Sequence, residues 1–415
     1  MITVRPFEGV RPPRELVKAV ASKPYDVLSS QEALKESQGN EKSLYHIIKP
    51  EINFSPMIDE HDERVYANGV ENYLHFRSQG WLLKDESPAY YIYAQQMGVH
   101  KQYGLVVTAS IDDYLEGRIK KHELTRVDKE LDRMRHVYET KANIEPVFLA
   151  FRKHQDLESL IQSVVRDHTP IYDFRSDDGI LHQLWVVTDA PSINQITTCF
   201  ADIDSLYIAD GHHRSAAAAR VGEQMRQQDS NTNDRGEYNY FMAVCFPEDQ
   251  LYIMDYNRLV RDLNGLTPGE FLTKLSQHFE VSNPSHEPLH PQKKYQFSLY
   301  LAGQWYLLTA KPQIIHEEDV IANLDVSILS TYVLNQLLGI EDLRTSKRID
   351  FVGGIRGYAP LKERVDSGEM QAAFGLYPVS MGEIMAVSDK EEIMPPKTTW
   401  FEPKLRSGLI IHDLI

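Results

Sequence analysis

The chain has 415 residues, 42% of them hydrophobic and 25% charged, with two cysteines and a formal net charge of -16. That composition is globular and large enough for two or three domains, while its acidity argues against the basic surface that phosphate-driven nucleic-acid binding requires. Cys199 and Cys245 are too few for a disulfide scaffold, and no uncharged run approaches the roughly 20 residues of a membrane span, so a cytoplasmic protein with no nucleic-acid or membrane partner is expected.

Near the N-terminus, Ser29 and Glu32 have capping-box spacing and predict a helix, and the proline of KPYDV just ahead predicts an extended approach. ERVYANGVENYLHFRSQG, residues 63–80, has helical spacing and a terminating Gly80. AYYIYAQQ and YGLVVTASI read as strands joined by the hairpin-length QMGVHKQ. Residues 122–142 read as one long helix with an apolar stripe of Leu124, Val127, Leu131, Met134 and Tyr138. PVFLAF is a strand, DLESLIQSVVRDH a helix and LHQLWVVTD a strand. After the segment LYIADGHHRSAAAAR comes a polar loop, RQQDSNTNDRGE, then YNYFMAVCF and LYIMDYNRLV, which read as a strand pair about PEDQ. From about Leu263 the texture changes. A helix follows with Thr267 as N-cap and Pro268 at its first position, then a hairpin turning at Ala302-Gly303. LDVSILSTYVLNQLLGI reads as a buried helix, and EIMPPKTTWFEPKLRSGLIIHDLI as a strap that its prolines keep from being helical. The division expected is a core at 1–262 with inserted helices and a C-terminal α+β region at 263–415 whose strap returns to the core.

The chemistry concentrates at Asp210-Gly211-His212-His213-Arg214. SLYIAD is a strand by composition and the alanine-rich stretch after the motif a helix, so Gly211 falls at a strand-to-helix junction. Such a junction offers free N–H groups and the positive end of a helix dipole, which suit an anion. Arg214 adds a donor fork for phosphate oxygens, Ser215 a hydroxyl, and the two imidazoles can move protons. Asp210 can act as a base or meet a nucleotide-bound Mg²⁺. Capping alone would explain one of these five residues. A protein-built metal cage is not expected, because adjacent histidines rarely ligate one metal and no HExxH or CxxC accompanies them.

ADGHHR after a strand, PYDV near the N-terminus, KHELT followed by DKELDR, and MPPKTTWFEPK near the C-terminus together resemble domain-of-unknown-function family 1015 over nearly the whole chain. The DGHHR turn further resembles the phosphate-binding turn of the ParB/sulfiredoxin superfamily, which includes a free serine kinase. The resemblance implies an α+β fold: a ParB/sulfiredoxin-like nucleotide-binding core with large insertions and a C-terminal α/β extension. It implies ATP or ADP with Mg²⁺ as cofactor and phosphoryl chemistry at Asp210 to Arg214. Sulfiredoxin needs a cysteine where this chain has His212, so sulfinic-acid reduction by that route is excluded. ParB proteins carry Glu-Arg after the glycine and append a DNA-binding helix-turn-helix, whereas this chain has His-His and an acidic balance.

Phosphoryl transfer needs cations for the phosphates and a carboxylate to orient the nucleophile. On the 122–142 helix, Arg126, Lys129, Arg133 and His136 form a basic stripe behind Glu123, which makes Lys129 and Arg133 candidate phosphate ligands and Glu123 a candidate base. Lys397, Thr398 and Thr399 on the strap, and Asp26 of PYDV, are candidate lid or substrate contacts. The expected function is a nucleotide-dependent phosphotransferase acting on a small hydroxy compound, with serine or phosphoserine as best candidate. The alternative is a nucleotide-sensing regulatory module without chemistry. A catalytic carboxylate separates the two; acceptor, donor, direction and oligomeric state are left open by the sequence.

Overall fold

The computed structural model describes residues 1–229 and 236–415, so half of the polar loop expected at RQQDSNTNDRGE lies outside the described residues. The chain divides into two compact units, Met1–Leu251 with Pro403–Ile415, and Tyr252–Glu402. The α+β class expected is the one adopted, with a mixed sheet and helices in the first unit and an antiparallel sheet with helices in the second.

The first unit is built on a nine-stranded sheet. Its strands are β1 (Val4–Arg5), β2 (Tyr90–Met97), β3 (His100–Ser110), β4 (Ile119–Lys120), β5 (Val147–Phe151), β6 (Tyr172–Arg175), β7 (Leu181–Val187), β8 (Leu206–Asp210) and β9 (Tyr240–Pro247). They run in the order β4-β8-β5-β9-β3-β2-β7-β6, with β1 added against β3. β8 lies parallel to β4 and β9 parallel to β5, and the remaining pairs are antiparallel. The β2–β3 hairpin is tighter than QMGVHKQ suggested. Met97 already pairs with His100, leaving Gly98 and Val99 as a two-residue turn. Central strands are buried on both faces, as in Tyr90, Tyr91, Ile92 and Tyr93, which is why they read as continuous apolar runs rather than alternating ones.

Six longer helices attend this unit: α1 (Ser30–Ser37), α2 (Glu63–Ser78), α3 (Val127–Thr140), α4 (Gln155–Asp167), α5 (Ala190–Ala201) and α6 (His212–Gln228). The Ser29/Glu32 capping box forms as expected. KPYDV is not extended throughout. Tyr25–Val27 close one 3₁₀ turn after an extended Pro24, because Tyr25 N–H is drawn to Glu145 Oε1 at 3.0 Å. The helix expected at 122–142 begins only at Val127. Its stripe is also divided: Leu124, Val127 and Leu131 are exposed, while Met134 and Tyr138 pack near Val221, Met225 and Leu414. Glu130, His136 and Thr140 point inward, each given a polar partner: Thr125 Oγ1 to Glu130, His136 to the carbonyl of Ile47, and Thr140 Oγ1 to the carbonyl of His136.

YNYFMAVCF and LYIMDYNRLV are both extended but do not pair. β9 has β3 on one side and β5 on the other, so it offers no free edge. Tyr252–Met254 pair instead with Trp400–Glu402, and the next strand enters a second sheet. That transition places the break between units at Leu251, ahead of the textural change at Leu263. The second sheet comprises β10 (Tyr256–Val260), β11 (Phe279–Val281), β12 (Gln296–Leu301), β13 (Gln304–Ala310), β14 (Ile349–Gly353) and β15 (Ala372–Leu376), in the order β11-β13-β12-β15-β10-β14 and antiparallel throughout. The β12–β13 turn falls at Ala302 and Gly303, both at positive φ, as a two-residue hairpin requires. The longer helices are α7 (Pro268–His278), α8 (Ala359–Asp366) and α9 (Met381–Asp389), with the Thr267 cap in place as a full capping box. The helix expected from Leu324 is a short one, Asp325–Leu329, that runs into a π-helical stretch at Ser330–Asn335. Trp305, Tyr300, Leu259 and Leu361 form the core here. The strap has no helix beyond Asp389, and from Pro403 onward it rejoins the first unit. Among the described residues no helix is long and apolar enough to cross a membrane.

Candidate functional site

β8 ends at Asp210, Gly211 turns the chain, and α6 begins at His212. Gly211 adopts φ 96° and ψ 32°, a left-handed conformation that a side chain would strain, and its N–H is held by Asp210 Oδ1 at 2.9 Å. No side chain caps the helix, so its first N–H groups have no intrahelical partner and carry the positive end of a 17-residue dipole. Behind them Ala216, Ala217, Ala218 and Ala219 are all buried, which brings α6 close to its neighbours and fixes the mouth. Ser215 is buried too. Its hydroxyl donates to the carbonyl of Gly211 at 3.1 Å, a local stabilising role.

The two histidines diverge, as successive helix positions must. His212 is buried, and its Nε2 accepts from the His122 N–H at 3.5 Å, with the two rings edge-on at 4.5 Å. Its Nδ1 faces Glu123 Oε2 at 4.0 Å. Burial, and then the neighbouring His122, drive the His212 pKa well below the ordinary histidine value, so this ring is neutral. Nε2 as acceptor makes Nδ1 the protonated nitrogen. His213 Nε2 accepts from the Arg126 N–H at 2.9 Å, and burial, with Lys129 next, lowers its pKa as well.

Arg214 is almost wholly buried. It donates through Nη1 to the carbonyl of Pro146 and turns Nη2 toward two carboxylates, Asp26 Oδ2 at 3.8 Å and Asp210 Oδ2 at 3.7 Å. Asp210 Oδ2 also receives Lys404 Nζ at 3.1 Å. Burial opposes charge on Asp210, but Lys404 and Arg214 outweigh it and hold the carboxyl well below the usual carboxylate range. Asp26 owes its place to the 3₁₀ turn, which is anchored by Glu145 and by Arg133 lying 4.0 Å over the Tyr25 ring. Arg133 also pairs with Asp132 at 2.6 Å and approaches Glu145 at 3.8 Å.

The structure therefore gathers Asp26, Asp210, Gly211, His212, His213, Arg214 and Glu123 around one helix mouth. Glu123 reaches it from the loop before α3, not from a helix. Lys129 is exposed on α3 and acts on His213, while Arg133 supports the turn that carries Asp26. The basic stripe is not a single face: Arg126 is exposed, whereas His136 is buried against the carbonyl of Ile47. Lys397, Thr398 and Thr399 belong to the second unit, where Lys397 gives its carbonyl to Arg258 and Thr398 Oγ1 donates to the carbonyl of Pro395. Three residues of the cluster were not singled out from sequence: Lys404, Glu145 and His122. Lys404 and His122 both stood inside quoted motifs, EPK and KHELT, as ionisable residues beside the ones chosen. Among the described residues the side chains grouped closely enough to hold a metal ion are His154, Asp156 and Cys199, and none of the Asp210–Ser215 residues is among them.

An α+β protein with a glycine turn opening onto an uncapped helix, ringed by the carboxylates of Asp26, Asp210 and Glu123, an arginine, a lysine and two histidines, has the makings of an anion-handling site. The chain belongs to the DUF1015 family, described as a protein of unknown function, whose model matches residues 4–327. No curated protein matches it. Among solved structures it is similar to a free serine kinase in complex with AMP, at 15% identity and a TM-score of 0.35, covering 74% of this chain and 92% of that one. It is also similar to SbnI with C-terminal truncation from Staphylococcus aureus, at 12% identity and a TM-score of 0.37 over 74% and 87% of the two chains. A conserved hypothetical protein from Pyrococcus furiosus is similar at 14% identity and a TM-score of 0.33, over 75% and 97%.

Proposed function

We propose that this protein is a nucleotide-dependent phosphotransferase acting on a small hydroxy compound, with a ParB/sulfiredoxin-like core, ATP or ADP as nucleotide, and serine or phosphoserine as the first acceptor to test. The observation that carries the reading is the mouth of α6: unclaimed backbone N–H groups after a left-handed glycine, faced by the fixed carboxylates Asp26 and Asp210. The N–H groups suit a phosphate group, and the hard carboxylate oxygens suit Mg²⁺. Bound with the nucleotide, Mg²⁺ would be held by Asp26 and Asp210 and would supply neutralisation of phosphate charge.

Arg214 serves this arrangement by fixing the two carboxylates, and Lys404 keeps Asp210 ionised. A carboxylate held that firmly in its charged form is a weak proton acceptor. Glu123 is better placed for that task, being 42% exposed with its Oε2 4.0 Å from His212 Nδ1. In the forward direction the acceptor hydroxyl gives its proton to Glu123. Its oxygen bonds to phosphorus as the bond from phosphorus to the remaining nucleotide phosphate breaks.

The test pairs turnover with nucleotide titration. Glu123→Gln is expected to lower turnover by about 10²–10⁴-fold with nucleotide affinity nearly intact, the range of general acid–base assistance. Asp210→Asn is expected to weaken nucleotide binding in Mg²⁺ more than in its absence. Full activity in both variants, or no phosphoryl transfer by the parent between ATP or ADP and serine or phosphoserine, refutes the reading for those substrates. Tight nucleotide binding without turnover on any hydroxy compound favours a nucleotide-sensing module.

A further inference from the structure

We propose that the second unit carries its own small-anion site, centred on Arg258, which takes the carboxylate or phosphate group of a small metabolite. Arg258 lies on β10, flanked by β15 and β14, and is 1% exposed. Its Nη1 donates to the carbonyl of Tyr256 and its Nη2 to the carbonyl of Lys397 at 2.9 Å, while its Nε–H has no partner. Among the described residues no carboxylate forms an ion pair with it. A buried guanidinium answered by two carbonyl oxygens and, at 5.6 Å, the Phe351 ring carries a desolvation cost that a leucine or methionine of similar volume would avoid.

The surroundings leave a small opening beside it. Arg258 lines a narrow cavity of about 20 Å³ that is partly open to solvent, together with Lys294, Asp325, Tyr377, Glu383 and Thr398. The other charges there are already matched. Lys294 Nζ pairs with Glu383 Oε1 at 2.7 Å, and the Asp325 carboxyl receives the Tyr295 N–H at 2.9 and 3.1 Å. Burial pushes Asp325 up to about 7, which removes much of its negative charge at neutral pH. Burial likewise lowers Arg258 to about 10, and the nearby Tyr256 and Asp255 only partly oppose that shift. The excess positive charge of the pocket therefore resides on Arg258, and an oxyanion answers both the charge and the Nε–H.

The prediction is independent of the phosphotransfer reading, since Arg258 and every residue of this pocket lie in the second unit. Full-length protein is heated in acetate, in inorganic phosphate and in chloride at matched ionic strength. At roughly 100-fold excess over the dissociation constant, a specific anion is expected to raise the unfolding midpoint by about 5 °C over chloride. A shift with acetate alone assigns a carboxylate, and one with phosphate alone assigns a phosphoryl group. The shift is expected to persist in Arg214→Ala and to vanish in Arg258→Met. An undiminished shift in Arg258→Met, or none in the parent, overturns the proposal. Parent crystals soaked in tungstate or bromoacetate give a reading that does not depend on the variant folding: an ordered anion on Arg258 supports the site, and its absence there counts against it.

Discussion

Gly211 shows most directly how one residue sets the geometry of the helix mouth. At φ 96° an L-residue is strained, and a Cβ built there would lie 3.1 Å from Arg214 Nε. Gly211→Ala is therefore expected to cost about 1–3 kcal/mol of stability, read by denaturant unfolding, and to displace Arg214 from its two carboxylates. Nucleotide affinity, where present, should fall with it. Asp210, Gly211 and Arg214 were legible because a short motif of unlike polar residues at a strand-to-helix junction has no simple packing explanation. Lys404 and Glu145 were not legible. Each is an ordinary charged residue in its local sequence, and only the tertiary fold brings Lys404 to within 3.1 Å of Asp210 or Tyr25 N–H to Glu145.

At the scale of elements, local signals were faithful where the deciding interactions are local. The capping boxes at Ser29 and Thr267 and the Ala302-Gly303 turn each close within a few residues, so sequence spacing specifies them. Helix α3 shows the opposite case. Its apolar spacing suggested a buried stripe starting at Leu124, yet the fold buries Glu130 and His136 and leaves Leu124, Val127 and Leu131 in solvent. Polar partners contributed by Thr125, Arg220 and the carbonyl of Ile47 make that possible, and none is visible in the periodicity. For α6 the small side chains set the packing distance. Ala217 is fully buried, so Ala217→Leu is expected to overpack the interface and destabilise the first unit by roughly 1–3 kcal/mol. Ala217→Ser, nearly the same size, serves as the control, and thermal unfolding distinguishes them.

Across the whole molecule, the two units are expected to answer acid in opposite senses. Burial lowers His122 and His136 to about 4 and His182 to about 3, so the folded first unit keeps them neutral while the unfolded chain protonates them near 6.5. Their contribution is present above pH 6.5 and is lost as pH falls toward 4, on the order of 3 kcal/mol for each of His122 and His136 at full effect. Glu145, raised by burial, works the other way but alone among these groups. In the second unit Asp325 is raised to about 7 from an ordinary 3.8, so its folded form holds a proton that the unfolded form has released. That contribution is present at acid pH and is lost as pH rises through 7. Hydrogen exchange on peptides from each unit, compared at pH 7.5 and pH 5 after correction for intrinsic rates, should show Val147–Phe151 losing protection and Gln296–Leu301 gaining it. Parallel changes in both would contradict these assignments.

Residues 252–402 are inserted between the two pieces of the first unit, and this gives synthesis a direction. A ribosome has made β8, the glycine turn and α6 long before it makes Lys404, so the nascent cluster carries Asp210 without its lysine while the whole second unit is being translated. Domains generally fold as they emerge, which permits the second unit to fold before the first is complete. A nascent chain arrested at residue 402 should accordingly contain a folded second unit and an incomplete helix mouth. Completion of the site is thereby reserved for chains that have been read through the insertion, a form of proofreading by chain order rather than by affinity.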